Sequence, residues 1–282
     1  MSKNVLILDN DETTGYYSDL AMYMYHVMRF IAVTKEAEIV LLNKCIMIME
    51  EYCVFRPGLR QFMQTIAARK REGIIYKVVM YTNAFMTPGT GWISVNWGPI
   101  TWAQTLSKMF DRMAGYDDLF DLILTRRPED RAIHYPLKDF NRIVASLGNP
   151  TDLRMHFLDD RSGEILNSNE NWIAHSVLPY KYIMHTTDVI SALTKFMNNE
   201  VIVNFTQTGY IDYIIRTHVP VGDSIGVVPP LCIDEILPMK IRHYRPSFII
   251  RMKIRYRHMY ESPLSKRRCC RIYRKKYRIN TY

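Results

Sequence analysis

Val5-Leu6-Ile7-Leu8 is continuously apolar and runs straight into Asp9-Asn10-Asp11-Glu12-Thr13. A run that is apolar on every position and ends this abruptly predicts a short strand buried on both faces. From Tyr16 to Glu51 the spacing becomes helical. Met22, Tyr25, Met28, Arg29 and Ala32 fall three or four apart, and Thr34-Lys35-Glu36-Ala37 is an N-cap signal opening a second helix. Phe55-Arg56-Pro57-Gly58-Leu59 breaks the pattern, and a third helix is predicted over Leu59–Arg71, closed by Gly73.

Residues 74–81 form another apolar, β-rich run that ends in Thr82-Asn83-Ala84. Pro88, Gly89, Gly91 and Gly98 make 87–99 a loop, after which 102–113 is helical. Short strands are predicted at 122–125, at 155–158 running into Asp159-Asp160, and at 182–185; helices are predicted at 137–147 and 188–197. Strands alternating with helices predict an α/β fold with a central parallel sheet covered on both faces. Beyond residue 199 the alternation stops, and Pro220, Gly222, Gly226, Pro229, Pro230 and Pro238 give 199–239 the composition of a linker. The expected organisation is a body over 1–198, a linker-like segment over 199–239 and a separate tail over 240–282.

Composition adds bounds. With 282 residues, 48% of them hydrophobic, the chain can bury one sizeable core. The greasiest stretches are interrupted by His26, Arg29, Asn43 and Lys44, short of the ~20 apolar residues that span a bilayer. The apolar run after Lys3 is too short for a secretory signal, so the protein is expected to be intracellular, cytoplasmic or nuclear, without a membrane partner. Five cysteines, with no CxxC pair and no Cys/His ligand spacing, support neither a disulfide framework nor a zinc site.

Charge divides the chain unevenly. Residues 240–282 hold 15 Lys/Arg against Glu261 alone, a balance of +14, which leaves −5 on the preceding residues. The tail alternates Arg251, Lys253, Arg255 and Arg257 with Met252, Ile254 and Tyr256, then continues basic and Tyr-rich to its end. Such a segment suits nucleic acid, an acidic protein, or a solvated tail.

Three carboxylates in four positions raise the question of what cation they hold. A calcium loop fails by counting: the glycine is Gly15, at loop position seven rather than six, and position twelve is Leu20, which cannot chelate. Strand context fits better, because reactive groups in an open α/β sheet gather beyond the strands' carboxyl ends. Three strand ends carry Asp9-Asn10-Asp11-Glu12-Thr13, Thr82-Asn83 and Asp159-Asp160, and Lys138 lies between the last two. Carboxylates, a hydroxyl and a cation together are equipment for phosphoryl transfer.

In this order the residues resemble the haloacid dehalogenase-like phosphatases. They are most similar to the branch that dephosphorylates the polymerase C-terminal domain, the NLI-interacting-factor-like or small CTD phosphatases. That branch shows D-[LM]-D-E-T-L, RPG-L, F-T-A, K-D-L and D-[DN]-S-P. This chain has Asp9-Asn10-Asp11-Glu12-Thr13-Thr14, Arg56-Pro57-Gly58-Leu59, Tyr81-Thr82-Asn83-Ala84, Leu137-Lys138-Asp139-Phe140 and Asp159-Asp160-Arg161-Ser162. Asn171-Trp172-Ile173 is similar to the family's N-x-I. The resemblance spans roughly 4–198.

It implies Asp9 as nucleophile through an aspartyl-phosphate and Asp11 as general acid and base. It implies Mg²⁺ on the Asp9 carboxylate, the Asp11 carbonyl and Asp160. Thr82 and Asn83 would bind phosphate, Lys138 would balance charge, Asp159 would orient Lys138 or the metal ligand, and Thr13 would shape the loop. A phosphorylated protein or peptide is the implied substrate; a nucleic-acid end, a small phosphorylated metabolite, or a binding role without turnover are the alternatives. The chain departs from the family in a helical insertion at 16–51, a Gly/Trp loop at 87–98, and Arg161-Ser162-Gly163 in place of Ser-Pro.

Overall fold

The computed structural model describes residues 2–17, 35–85, 102–126, 138–161, 165–181, 186–198 and 230–237. Its contacts separate Met1–Ile236 from Leu237–Tyr282, and of the second unit only Leu237 is described. Within the first unit the strands are β1 (Lys3–Leu8), β2 (Lys77–Phe85), β3 (Leu122–Arg126), β4 (Lys138–Asp139), β5 (Leu153–Asp159), β6 (Ile165–Leu166) and β7 (Trp172–Ser176). The helices are α1 (Lys35–Glu51), α2 (Leu59–Arg71), α3 (Trp102–Ala114), α4 (Phe140–Ser146), α5 (Thr186–Met197) and the single turn α6 (Ile233–Ile236).

Five strands form one parallel sheet in the order β3-β2-β1-β5-β7. The apolar run that opens the chain is therefore its middle strand, and Val5, Leu6, Ile7 and Leu8 are all fully buried. Strand alternation sends Val5, Ile7, Val79, Tyr81, Met155 and Phe157 into one cluster with Phe140 and Ile143 of α4. Leu6, Leu8, Val78 and Met80, on the other face, are equally buried, so both faces are covered. That arrangement explains why β1 is continuously apolar rather than alternating.

Helix α2 has the boundaries its pattern predicts. It starts after Gly58, whose φ of 80° is left-handed, a conformation glycine adopts without the Cβ penalty. Its last turn carries Arg69, Lys70 and Arg71, where cations face the negative end of the helix. Helix α1 covers Lys35–Glu51, and the N-cap expected at Thr34 lies outside the described residues.

Other boundaries move. Strand β2 continues through Thr82 and Asn83 to Phe85, with a break in its pairing to β3 between Tyr81 and Phe85. The helix expected at 137–147 spans only Phe140–Ser146, because the Asp139 side chain accepts the Asn141 N–H as an N-cap and leaves Lys138 extended. Lys138 and Asp139 pair with β6 in a separate two-stranded parallel sheet. Strand β7 carries no comparable apolar run, being half-exposed at the sheet edge.

Residues 18–33 of the first expected helix, the 87–98 loop, the 182–185 strand and the 240–282 tail lie outside the described residues. Among the described residues no helix is long and apolar enough to cross a membrane. Among the described residues Cys45 and Cys232 carry free thiols and Cys53 is disulfide-bonded.

Candidate metal centre

Register builds the site. Leu8 of β1 pairs with Leu158 of β5, and the Asp9 N–H donates to the Leu158 carbonyl at 3.0 Å. Asp9 and Asp159 therefore emerge side by side from the two central strands, at the carboxyl edge of the sheet. Leu8 also pairs with Met80, so Thr82 lies two residues further along that edge, with Asn83 next to it. Thr82 is fully buried.

Lys138 reaches this edge from β4. Its Nζ lies 2.9 Å from Asp9 Oδ1 and 2.6 Å from Asp159 Oδ2, and it sits 4.9 Å from the centroid of the Phe157 ring. All three charged groups are about 5–7% exposed. Asp159 is held on its other oxygen by the Arg161 N–H at 2.7 Å. Asp160 is tied to the first strand's turn: the Thr13 hydroxyl donates to Asp160 Oδ1 at 3.3 Å and accepts the Asp160 N–H at 3.1 Å.

One carboxylate oxygen each from Asp9, Asp159 and Asp160 lie within 4.8 Å of one another. Three carboxylates against the Lys138 ammonium leave a balance of −2 in a largely buried place. An isolated charge there is costly, so the cluster is suited to a divalent cation. The donor set is all oxygen, with no thiolate or imidazole, which matches a hard cation. The three aspartates can thus hold a metal ion.

Titration follows from the same crowding. Burial pushes the Asp9 carboxyl up to about 7; Lys138 pulls it down, while Asp159 and Asp11 push it further up. Asp160 is also raised, by burial and by Asp159. Burial opposes the charge on Lys138, but Asp9 and Asp159 outweigh it and raise the ammonium above its usual range. Asp11 is pushed up to about 6, first by burial, with Lys138 opposing and Asp160 and Glu12 adding. The Asp11 residue is itself exposed, so water screens part of this effect.

The turn between Asp11 and Gly15 is braced in a way the sequence reading did not foresee. Glu12 has a left-handed φ of 60°, and Asp11 bridges to Gly15, which in turn bridges to Phe55. Arg56 is fully buried and donates from Nε to the Thr13 carbonyl at 2.6 Å and from Nη2 to the Glu12 carbonyl at 3.0 Å. The Tyr180 N–H also donates to Glu12 O, at 2.6 Å. The available signal was an arginine inside the apolar stretch Val54-Phe55-Arg56, where a charge demands partners. Asn10, 1% exposed, leaves both its side-chain oxygen and nitrogen without a hydrogen-bond partner.

Asp9, Thr13, Lys138, Asp159 and Asp160, proposed from sequence, are brought together, and Asp11, Thr82 and Asn83 share their edge. Asp159 stands in the acidic triad itself as well as on Lys138. Comparison with known proteins finds no matching family model, no matching curated protein and no matching solved structure.

Proposed function

We propose that this protein is a Mg²⁺-dependent phosphatase of the haloacid dehalogenase-like type, most similar in its motifs to the small CTD phosphatases. One observation carries the reading: a buried Lys138 grips Asp9 at the carboxyl edge of a parallel sheet, inside a triad of aspartates. The order of the five short motifs supports it. Asp9, Asp159 and Asp160 supply the metal-class carboxylates, with the Asp11 main-chain carbonyl as a further oxygen. A bound divalent cation would supply charge neutralisation, favouring the Asp9 carboxylate and letting two anions approach.

The chain's own residues then divide the work. An Asp9 oxygen attacks phosphorus, the bond to the leaving oxygen breaks, and an aspartyl-phosphate forms on Asp9. Asp11 gives its proton to the leaving oxygen, then takes one from the water that releases phosphate. Crowding that raises the Asp11 carboxyl above its ordinary range favours the protonated form that the first step needs. Lys138 balances charge on the transferring group, and Thr82 with Asn83 hold its oxygens. Asp159 fixes Lys138 through the 2.6 Å ion pair.

Phosphoserine or phosphothreonine in a protein is the proposed substrate. The +14 charge of 240–282 favours a second reading, a nucleic-acid end phosphate, and makes nucleic acid or an acidic protein a proposed partner of that tail. Purified protein with Mg²⁺ should hydrolyse p-nitrophenyl phosphate, and Asp9→Asn should not; equal rates would sink the nucleophile assignment. A phosphopeptide panel beside 3′- and 5′-phosphorylated oligonucleotides separates the two substrate readings. Metal binding without turnover on any of them would favour a non-catalytic binding protein.

A further inference from the structure

Arg56 heads the fully buried large side chains. A guanidinium keeps its charge almost anywhere, so burial is tolerable only when its fixed fork of N–H groups meets matched acceptors. Burial lowers its pKa to about 10, which leaves it charged at neutral pH. The described acceptors are main-chain carbonyls: Thr13 O from Nε, with Glu12 O and Leu178 O from Nη2. Its own N–H donates to the Thr14 carbonyl at 2.9 Å. Residue 56 therefore grips the carbonyls of Glu12, Thr13 and Thr14 in succession, and joins them to the segment after β7.

The gripped turn is the one whose Thr13 hydroxyl holds Asp160 by two hydrogen bonds. Its Glu12 is left-handed, a conformation that a residue with a Cβ keeps only where its surroundings impose it. The segment after β7 is tied to the centre as well, because the Val177 N–H donates to the Asp159 carbonyl at 3.0 Å. Arg56 thus sits where the supports of Asp159 and Asp160 converge.

We infer that Arg56 is a positioning residue of the acidic centre: by binding the carbonyls of Glu12, Thr13 and Leu178 it fixes the turn that holds Asp160 through Thr13. The inference rests on the metal-binding reading above. Lysine at this position keeps the charge but offers a compact ammonium in place of the planar fork, so it cannot serve the same carbonyls together.

The test uses full-length protein and Mn²⁺ as the probe. Arg56→Lys, Thr13→Val and the double variant are titrated with Mn²⁺ by electron paramagnetic resonance, and amide exchange of Thr14 and Asp160 is followed by NMR. Each single variant should weaken Mn²⁺ binding by about 10–100-fold, the cost typical of losing a residue that supports metal ligands. The double variant should be no weaker than the worse single one, since both changes break one chain of contacts. Asp160 amide exchange should quicken in Arg56→Lys. Wild-type affinity in folded Arg56→Lys, or losses that simply add in the double variant, would overturn the assignment.

If Arg56→Lys does not fold, the wild-type Arg56 Nε–H resonance decides. It should be protected from exchange and should shift on addition of Mg²⁺; a resonance that ignores saturating Mg²⁺ counts against positioning. If wild type binds no Mn²⁺, the metal reading fails on its own terms. The amide arm then decides Arg56, and unchanged Asp160 exchange in Arg56→Lys overturns it.

Discussion

Asp9→Asn should remove turnover, and the structure assigns it a second consequence that needs no substrate. In the metal-free protein the Asp9 carboxyl is raised from 3.8 to about 7, chiefly by burial, against the pull of Lys138. A raised carboxyl pKa means that the folded state binds the proton more tightly than the unfolded one. Stability therefore falls as pH rises from 3.8 towards 7 and levels off above that. At ~1.4 kcal/mol per unit, the full penalty approaches about 4 kcal/mol, of which roughly 2–3 kcal/mol accrues between about pH 5 and pH 8.

Asparagine cannot ionise, so this penalty disappears in the variant; the attraction of Lys138 acts on the ionised carboxyl alone and is already contained in its raised pKa. Urea unfolding of both proteins with a chelator present is the assay. The stability of Asp9→Asn relative to wild type should improve by about 2–3 kcal/mol between about pH 5 and pH 8. Mg²⁺ at a hundred times its dissociation constant should then stabilise wild type by about 2.7 kcal/mol and the variant by less. A pH-independent difference, or one that shrinks as pH rises, would refute the account of a buried, strained carboxylate.

Lys138→Met strips the cation from two buried carboxylates and should cost about 3–5 kcal/mol in thermal or urea unfolding, with activity lost; a cost under ~1 kcal/mol would contradict the ion-pair description. Asn10→Leu should stabilise by about 1–3 kcal/mol, since it removes two buried polar atoms that lack partners; destabilisation would reveal a partner for that amide. His156, 5% exposed, packs against His175 with Nδ1 and Nε2 3.1 Å apart, and its pKa is lowered to about 4 by burial, then by His175 and Arg154. The unfolded chain takes up this proton first, so stability should fall as pH drops from 6.5 towards 4, by about 2 kcal/mol after screening at the sheet edge. His156→Phe should flatten that slope in acid-unfolding curves, and an unchanged slope would exclude the pair as its source. A Cβ at Gly15 would lie 2.7 Å from the buried Tyr17 ring, so Gly15→Ala should cost about 1–3 kcal/mol, read as a lowered Tm.

Buried strands were legible because burial on both faces leaves a continuous apolar signature. That signature marked β1, β2 and β5, and with them Asp9 and Asp159 at the ends of the first and last. It could not mark β7, where Trp172–Ser176 mixes half-buried and exposed positions at the sheet edge. Nor could it mark β4 and β6, two residues each, which exist only by pairing with one another. Helix spacing gave α2 its limits, yet at 137–147 it overrode the local chemistry: Asp139 prefers to cap, and capping leaves Lys138 extended. Arg56 was visible as part of a motif but not as a brace. Its meaning depends on carbonyls at residues 12, 13 and 178, which no local pattern connects.

Placing β1 at the middle of the sheet also sets a timetable for synthesis. Its first neighbour, β2, begins at Lys77, but its second, β5, begins only at Leu153. At ~5–20 residues per second, the ribosome needs roughly 7–30 s after β1 is complete to reach β5. Throughout that interval one edge of a strand whose last four residues are all apolar lacks its neighbour and can pair with another chain. Asp9 spends the same interval without Asp159 or Asp160, so the nascent chain has no assembled triad to capture a cation. The centre becomes available in a single late event, when Leu153–Asp159 docks.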